Sequence, residues 1–103
     1  MAPLGRLHVI TDVGADRDAL AVVRAALLAG APVIQVRVPD STTDREAYEF
    51  ARRVRALCAE HRATCLVNDR LDVALAVGAD GGHVGADDLP VAAARAVLGP
   101  TAV

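Results

Sequence analysis

Residues 64–90 read TCLVNDRLDVALAVGADGGHVGADDLP, and this stretch contains one complete strand–helix–strand unit. The β-rich run Thr64–Val67 predicts a strand, and the apolar spacing of Leu71–Val77 predicts a short helix that Gly78 ends. Gly81–Val84 predicts the next strand. Because a single helix joins two short strands, we expect a right-handed crossover and parallel strands.

The same alternation extends over the rest of the chain. Before this unit we predict strands at Leu7–Thr11 and Val33–Arg37 and helices at about 16–29 and 43–60, and after it a helix at 90–98. The long helix opens with a capping box formed by Thr43 and Glu46. Four such units predict one α/β domain over residues 1–103 with a parallel sheet, either half of an eight-stranded barrel or a small open sheet. Residues 100–103 predict the opening of a fifth strand.

Composition excludes several classes of function. A net charge of −2 and an aromatic content of 2% leave neither a basic stripe nor a stacking platform for nucleic acid. Arg24 interrupts the longest apolar stretch, so we expect no membrane span. Cys58 and Cys65 lack CxxC spacing and are interpreted as reduced core residues of a cytoplasmic protein. The unpaired edges of a four-stranded sheet favour a homo-oligomer or a partner chain.

Acidic residues follow two neighbouring strands. Asn68 and Asp69 end the third predicted strand, and Asp88 follows the fourth, 19 residues beyond Asp69. Because parallel strands place their carboxyl ends at one edge, where α/β sheets bind ligands, both carboxylates can converge there. Such a pair suits a hard cation that carries a phosphorylated substrate. The alternative is that these residues only cap the following helices, and for a lone Asp12 that alternative is favoured.

Two polar residues mark the second strand. Gln35 and Arg37 lie two residues apart, so we expect both side chains on the same face of the strand. The planar guanidinium of Arg37 suits phosphate or carboxylate, and its alternative role is a structural ion pair with Asp12 or Asp69. No histidine is paired with a nucleophile in the sequence, so we propose no catalytic histidine.

The chain resembles the thiamine phosphate synthase family in four blocks. These blocks appear in the family's order, and the block from Asn68 to Pro90 is the most specific. They comprise residues 7–12, 33–37, 67–81 and 83–90. The resemblance implies the N-terminal half of a TIM-barrel transferase of thiamine biosynthesis, which joins a hydroxymethylpyrimidine diphosphate to a thiazole phosphate and releases pyrophosphate.

The resemblance also implies roles for individual residues. Gln35 would contact the pyrimidine, Arg37 and Asn68 would contact the diphosphate, and Asp69 and Asp88 would hold Mg²⁺. We expect no catalytic residue apart from those that bind the substrate and the metal. The partners implied are the phosphorylated pyrimidine and the phosphorylated thiazole.

Three departures from the family pattern bear on activity. Pro39 stands where the family usually has a lysine, and the chain contains no lysine; Ala86 stands where glutamine is common. The family's barrel is also about twice as long, and its other half carries the thiazole-phosphate loops. We therefore expect this chain alone to be weakly active or inactive. The alternatives are a non-catalytic half-barrel that binds ligand or assembles through its edges, and the related thiazole tautomerases, which lack the magnesium pair.

Overall fold

A computed structural model describes residues 4–14 and 18–103, and in this part of the chain strands and helices alternate as predicted. The strands are β1 (His8–Ile10), β2 (Val33–Val36), β3 (Thr64–Asn68) and β4 (Gly81–His83). The helices are α1 (Ala19–Leu28), α2 (Asp44–Glu60), α3 (Leu71–Val77) and α4 (Val91–Leu98). All strand pairs are parallel and the sheet order is β1-β2-β3-β4, which confirms the predicted α/β class.

Local signals set the helix ends. Thr43 accepts a hydrogen bond from the N–H of Glu46 while the Glu46 carboxylate binds the N–H of Thr43, so the predicted capping box is present at the start of α2. Gly78 adopts the left-handed conformation that ends α3 at the predicted residue. Asp18 caps α1 through the N–H of Ala21, and the predicted start at Asp16 lies outside the described residues.

The strand ends differ by a residue or two from prediction. β2 ends at Val36 because the backbone of Arg37 binds the Thr11 side chain instead of a neighbouring strand. β3 is one residue longer than predicted because Asn68 stays in register with His83 of β4.

The hydrophobic core lies between the helices and one face of the sheet. Its strand residues include Ile34, Val36, Cys65 and Val67, and its α2 residues include Ala47, Ala51, Val54 and Cys58. The alternating residues of β2 and β3 thus send one set of side chains into this core. Both cysteines are free thiols and buried, as predicted. The core fixes β2 and β3, the strands that contain or directly precede four of the five predicted site residues.

Val103 lies against the outer edge of β4. Its N–H donates to the carbonyl oxygen of Asp80, and its carbonyl accepts from the N–H of Gly82, at 3.0 and 3.2 Å. This is the bonding pattern of adjacent parallel strands. A Cβ on Gly81 would overlap the Val103 backbone, so glycine permits the approach. A fifth strand beyond this pairing stays a prediction.

Within the described ranges, no helix combines the length and the apolar composition needed to cross a bilayer.

Candidate functional site

A cleft of about 760 Å³ lies at the carboxyl ends of the strands. Every strand contributes to its walls through the residues that end it or follow it. The lining residues are Ile10, Thr11, Asp12, Val13, Arg37, Val38, Pro39, Asp40, Asn68, Asp69 and Asp88. Four of the five predicted site residues therefore meet in one cleft, at the edge where parallel α/β sheets bind ligands.

Asp69 enters the cleft from the end of β3 in an unusual backbone conformation. Its φ of 59° is left-handed, which aspartate tolerates better than most residues. The N–H of Asp69 donates to the carbonyl of His83 at 2.8 Å, which ties this residue to β4. The turn exposes the Asp69 carboxylate to the cleft. Backbone strain of this kind concentrates at functional sites.

Asp88 reaches the same cleft from the loop after β4. Its Oδ2 accepts a hydrogen bond from the N–H of Gly85 at 2.7 Å, which closes a tight turn. Loss of solvent, and then the negative charge and hydrogen bond of Asp88, raise the pKa of Asp69. Both residues line the same cleft, and a neighbouring negative charge disfavours the ionised form of a carboxyl group. The structure thus brings the predicted carboxylate pair together.

Arg37 supplies a positive charge to the wall of the cleft. Its side chain is exposed, and within residues 4–14 and 18–103 it forms no salt bridge, so the alternative of an ion pair with Asp12 or Asp69 is not observed. Its backbone is held firmly: the buried Thr11 hydroxyl accepts from the Arg37 N–H and donates to the Arg37 carbonyl, both at 2.8 Å. Arg37 therefore lines the cleft from a fixed backbone.

Asn68 lines the cleft beside Asp69, and its side-chain carbonyl is already engaged. Its Oδ1 lies 2.9 Å from Nδ1 of His83, its register partner on β4. Because an amide oxygen only accepts, the imidazole nitrogen is the donor in this bond. The amide group thus has one fixed contact and an NH₂ group that lacks any protein partner in the described part of the chain.

Gln35 does not line the cleft. Only 5% of its surface is exposed, and its backbone carbonyl accepts a hydrogen bond from the N–H of Thr11. The expected shared face with Arg37 does not place both side chains in the cleft, because β2 ends at Val36 and the alternation of faces ends with it. A contact between Gln35 and the pyrimidine stays a prediction.

Sequence reasoning missed Asp40 as a cleft residue. Asp40 follows Pro39 in the loop after β2, and its charge contributes to the raised pKa of Asp69. Its position in a loop that follows a strand was the available signal. Asp12, for which capping was the favoured interpretation, also lines the cleft. The rim is therefore more acidic than the sequence blocks alone suggested, which favours a cation over a free anion.

The carboxylate pair fits a magnesium ion in its donor chemistry. Mg²⁺ is commonly held by one or two carboxylates and completes its octahedral shell with water and substrate phosphates. In the part of the chain that the structure describes, no group of three or more His, Cys, Asp or Glu side chains is arranged to hold a metal ion. Asp69 and Asp88 would therefore hold the ion only together with oxygens from a ligand or from water.

Comparison with known proteins gives one consistent result. A family model described as thiamine monophosphate synthase matches residues 7–103. A thiamine-phosphate synthase from Salinispora arenicola is 70% identical over 105 residues, which cover 100% of this chain and 50% of that relative. A thiamine-phosphate synthase from Moorella thermoacetica is 47% identical, with coverages of 95% and 47%.

A solved structure shows the same fold. The thiamine phosphate pyrophosphorylase from Pyrococcus furiosus superposes with a TM-score of 0.80 at 41% identity, over 87% of this chain and 44% of that one. The chain thus spans about half the length of the curated relatives that it matches.

Proposed function

Because the chain belongs to the thiamine monophosphate synthase family, we propose that its cleft is the metal–diphosphate half of a thiamine-phosphate synthase site. The ligand is a hydroxymethylpyrimidine diphosphate bound with Mg²⁺. The observation that carries this proposal is the shared cleft of Arg37, Asn68, Asp69 and Asp88. Cationic and amide donors beside a carboxylate pair provide both kinds of group that a metal-bound diphosphate requires.

Each residue has a distinct task in this proposal. Asp69 and Asp88 would hold the metal ion, which would supply positive charge to neutralise the departing diphosphate. The Arg37 guanidinium and the Asn68 NH₂ group donate hydrogen bonds to the diphosphate oxygens. The Thr11 hydroxyl keeps the Arg37 backbone in place at the rim of the cleft.

The diphosphate half serves a reaction in which charge separates. The bond between the pyrimidine methylene carbon and the diphosphate oxygen breaks, pyrophosphate departs with the bonding electrons, and the thiazole nitrogen forms the new bond to the carbon. Donors placed at the departing oxygens stabilise the transition state more than the ground state, because the negative charge there increases.

Isothermal titration with hydroxymethylpyrimidine diphosphate and Mg²⁺ tests the binding proposal. We expect saturable heat from the intact chain and its loss in Asp69→Asn, in which asparagine preserves the left-handed backbone. Asp87→Asn is the matched control, because Asp87 is exposed, carries the same charge and does not line the cleft. Equal heats from the two variants, or no heat from the unmodified chain, would contradict the proposal.

A second candidate function is ligand binding without turnover. Pro39 lines the cleft at the position where the family's resemblance implies a lysine, so an uncharged ring replaces a potential phosphate donor. A pyrophosphate-release assay with the diphosphate and the thiazole phosphate together separates the two functions. Release above the uncatalysed rate favours the synthase, whereas saturable binding without release favours the binding module.

A further inference from the structure

We propose that His83 is a positioning residue that orients the amide of Asn68 so that its NH₂ group faces the diphosphate, an inference that rests on the proposed function. His83 lies outside the set of residues that line the cleft, so it acts through its neighbour. The contact that carries the inference is the 2.9 Å bond between Nδ1 of His83 and Oδ1 of Asn68.

The geometry of the sheet places the two side chains together. Asn68 and His83 are register partners on parallel strands β3 and β4, so their side chains lie on the same face. The carbonyl of His83 also receives the N–H of Asp69, which fixes the backbone of β4 relative to the next cleft residue. The imidazole therefore stands on a backbone held by β3 and contacts Asn68 from the neighbouring strand.

The placement of Oδ1 toward Nδ1 of His83 gives the orientation of the amide and identifies the donor. An amide oxygen has no proton to donate, so Nδ1 of His83 must carry the hydrogen. With Oδ1 held by His83, the NH₂ group is the part of Asn68 that remains available to a ligand in the cleft. A reversed amide would turn an oxygen toward the phosphate oxygens and replace attraction by repulsion. His83 thus determines whether Asn68 donates to an anion.

Two variants separate the donor from the size of the side chain. His83→Asn keeps an N–H near the position of Nδ1, whereas His83→Leu fills similar space without a donor. The probe is inorganic pyrophosphate with Mg²⁺, measured by isothermal titration. We expect His83→Leu to weaken binding about five- to tenfold, as for loss of one orienting hydrogen bond, and His83→Asn to stay within about twofold.

A double-variant cycle and a matched control sharpen the test. His61 is an exposed residue at the end of α2, far from the cleft in the fold, and His61→Leu should leave pyrophosphate binding unchanged. In the background of Asn68→Ala, His83→Leu should add no further loss, because the group it orients is gone. Unchanged binding in His83→Leu, or full additivity with Asn68→Ala, would overturn the inference.

A spectroscopic measurement keeps this inference distinct from the proposed function. Nitrogen-15 NMR of the unmodified chain should show His83 with its proton on Nδ1, and the side-chain NH₂ signals of Asn68 should shift in His83→Leu and return toward their original positions in His83→Asn. If the chain binds no magnesium pyrophosphate, the proposed function fails while this measurement still decides the orientation. A proton on Nε2 alone, or NH₂ signals that ignore His83, would refute the inference.

Discussion

Replacing Asp88 by asparagine should stabilise the free protein and weaken its response to magnesium pyrophosphate. In the free protein the pKa of Asp69 is raised first by loss of solvent and then by the negative charge of Asp88. The second cause is a repulsion between like charges, which destabilises the folded state when both groups are ionised. Asparagine removes one charge and keeps an oxygen that can accept from the N–H of Gly85, so the turn after β4 is retained. The same substitution removes half of the proposed metal-binding pair.

The size of the first effect follows from exposure. Two unit charges about 4 Å apart repel by about 1 kcal/mol in bulk water and by about 4 kcal/mol near a protein surface. Asp69 is exposed and Asp88 is partly exposed, so solvent screens most of this repulsion. We therefore expect Asp88→Asn to increase the free energy of unfolding by about 0.5–1 kcal/mol. In a domain of this size, that gain raises the midpoint of thermal unfolding by roughly 2–8 °C.

The second effect has the opposite sign. A ligand present at about 100 times its dissociation constant stabilises the folded state by about 2.7 kcal/mol, or roughly 10–20 °C in the unfolding midpoint. The unmodified chain should show such a shift with magnesium pyrophosphate, and Asp88→Asn should lose most of it. The order of the two midpoints therefore reverses when the ligand is added.

Differential scanning calorimetry with and without magnesium pyrophosphate measures both effects. Asp87→Asn makes the same change in net charge one residue away, outside the cleft, and should leave the free midpoint and the ligand shift close to those of the unmodified chain. A lower midpoint for free Asp88→Asn would show that the two carboxylates do not repel. An undiminished ligand shift would show that Asp88 does not hold the metal.

Three further predictions concern the scaffold. Asp80→Ala should lower the free energy of unfolding in urea by about 1–3 kcal/mol, because it removes the carboxylate that accepts from the buried Cys65 N–H at 2.8 Å. Asp80→Asn keeps an acceptor and should lose much less; equal losses in the two variants would contradict this assignment. Ile34→Ala should cost about 2–5 kcal/mol by the same measurement because Ile34 is fully buried, and a loss below 1 kcal/mol, roughly that of Ile→Val, would exclude it from the core. The Thr43 hydroxyl lowers the pKa of Glu46 below 4.5, so the ionised Glu46 stabilises the fold above that pH and this stabilisation is lost as pH falls through the folded pKa. Thr43→Val should therefore flatten the pH dependence of the urea unfolding midpoint. The same pH dependence in the variant and the unmodified chain would argue against this coupling.

Local signals made much of the fold predictable. The capping box at Thr43 and the helix stop at Gly78 depend only on residues within one turn of the helix end, and both appear where the sequence placed them. The meeting of Asp69 and Asp88 at one cleft followed from topology, because β4 pairs with β3 in parallel and both strands end at the same rim.

Contacts between side chains and the backbone of a different unit could not be predicted in the same way. The Thr11 hydroxyl forms hydrogen bonds with the Arg37 backbone, and this contact ends β2 before Arg37. Arg37 therefore lies outside the strand that contains Gln35. Likewise the bond from His83 to Asn68 depends on the exact register of β3 and β4. Register and strand ends depend on the three-dimensional sheet. The alternation of side chains along the sequence therefore predicted which residues share a face inside a strand, but it did not predict where the strand ends.

The topology also explains why binding and turnover can be tested separately. Asn68, Asp69 and Asp88 belong to one β3–α3–β4 unit, and Arg37 belongs to the strand next to it, so short crossovers and direct strand pairing fix their relative positions. α3 packs against both α2 and β3, which anchors this unit to the buried core. Because the proposed diphosphate-binding residues lie in adjacent units, we expect this chain to bind magnesium pyrophosphate whether or not it completes the transfer. A chain that folds with this sheet and shows no binding would contradict the assignment of the cleft.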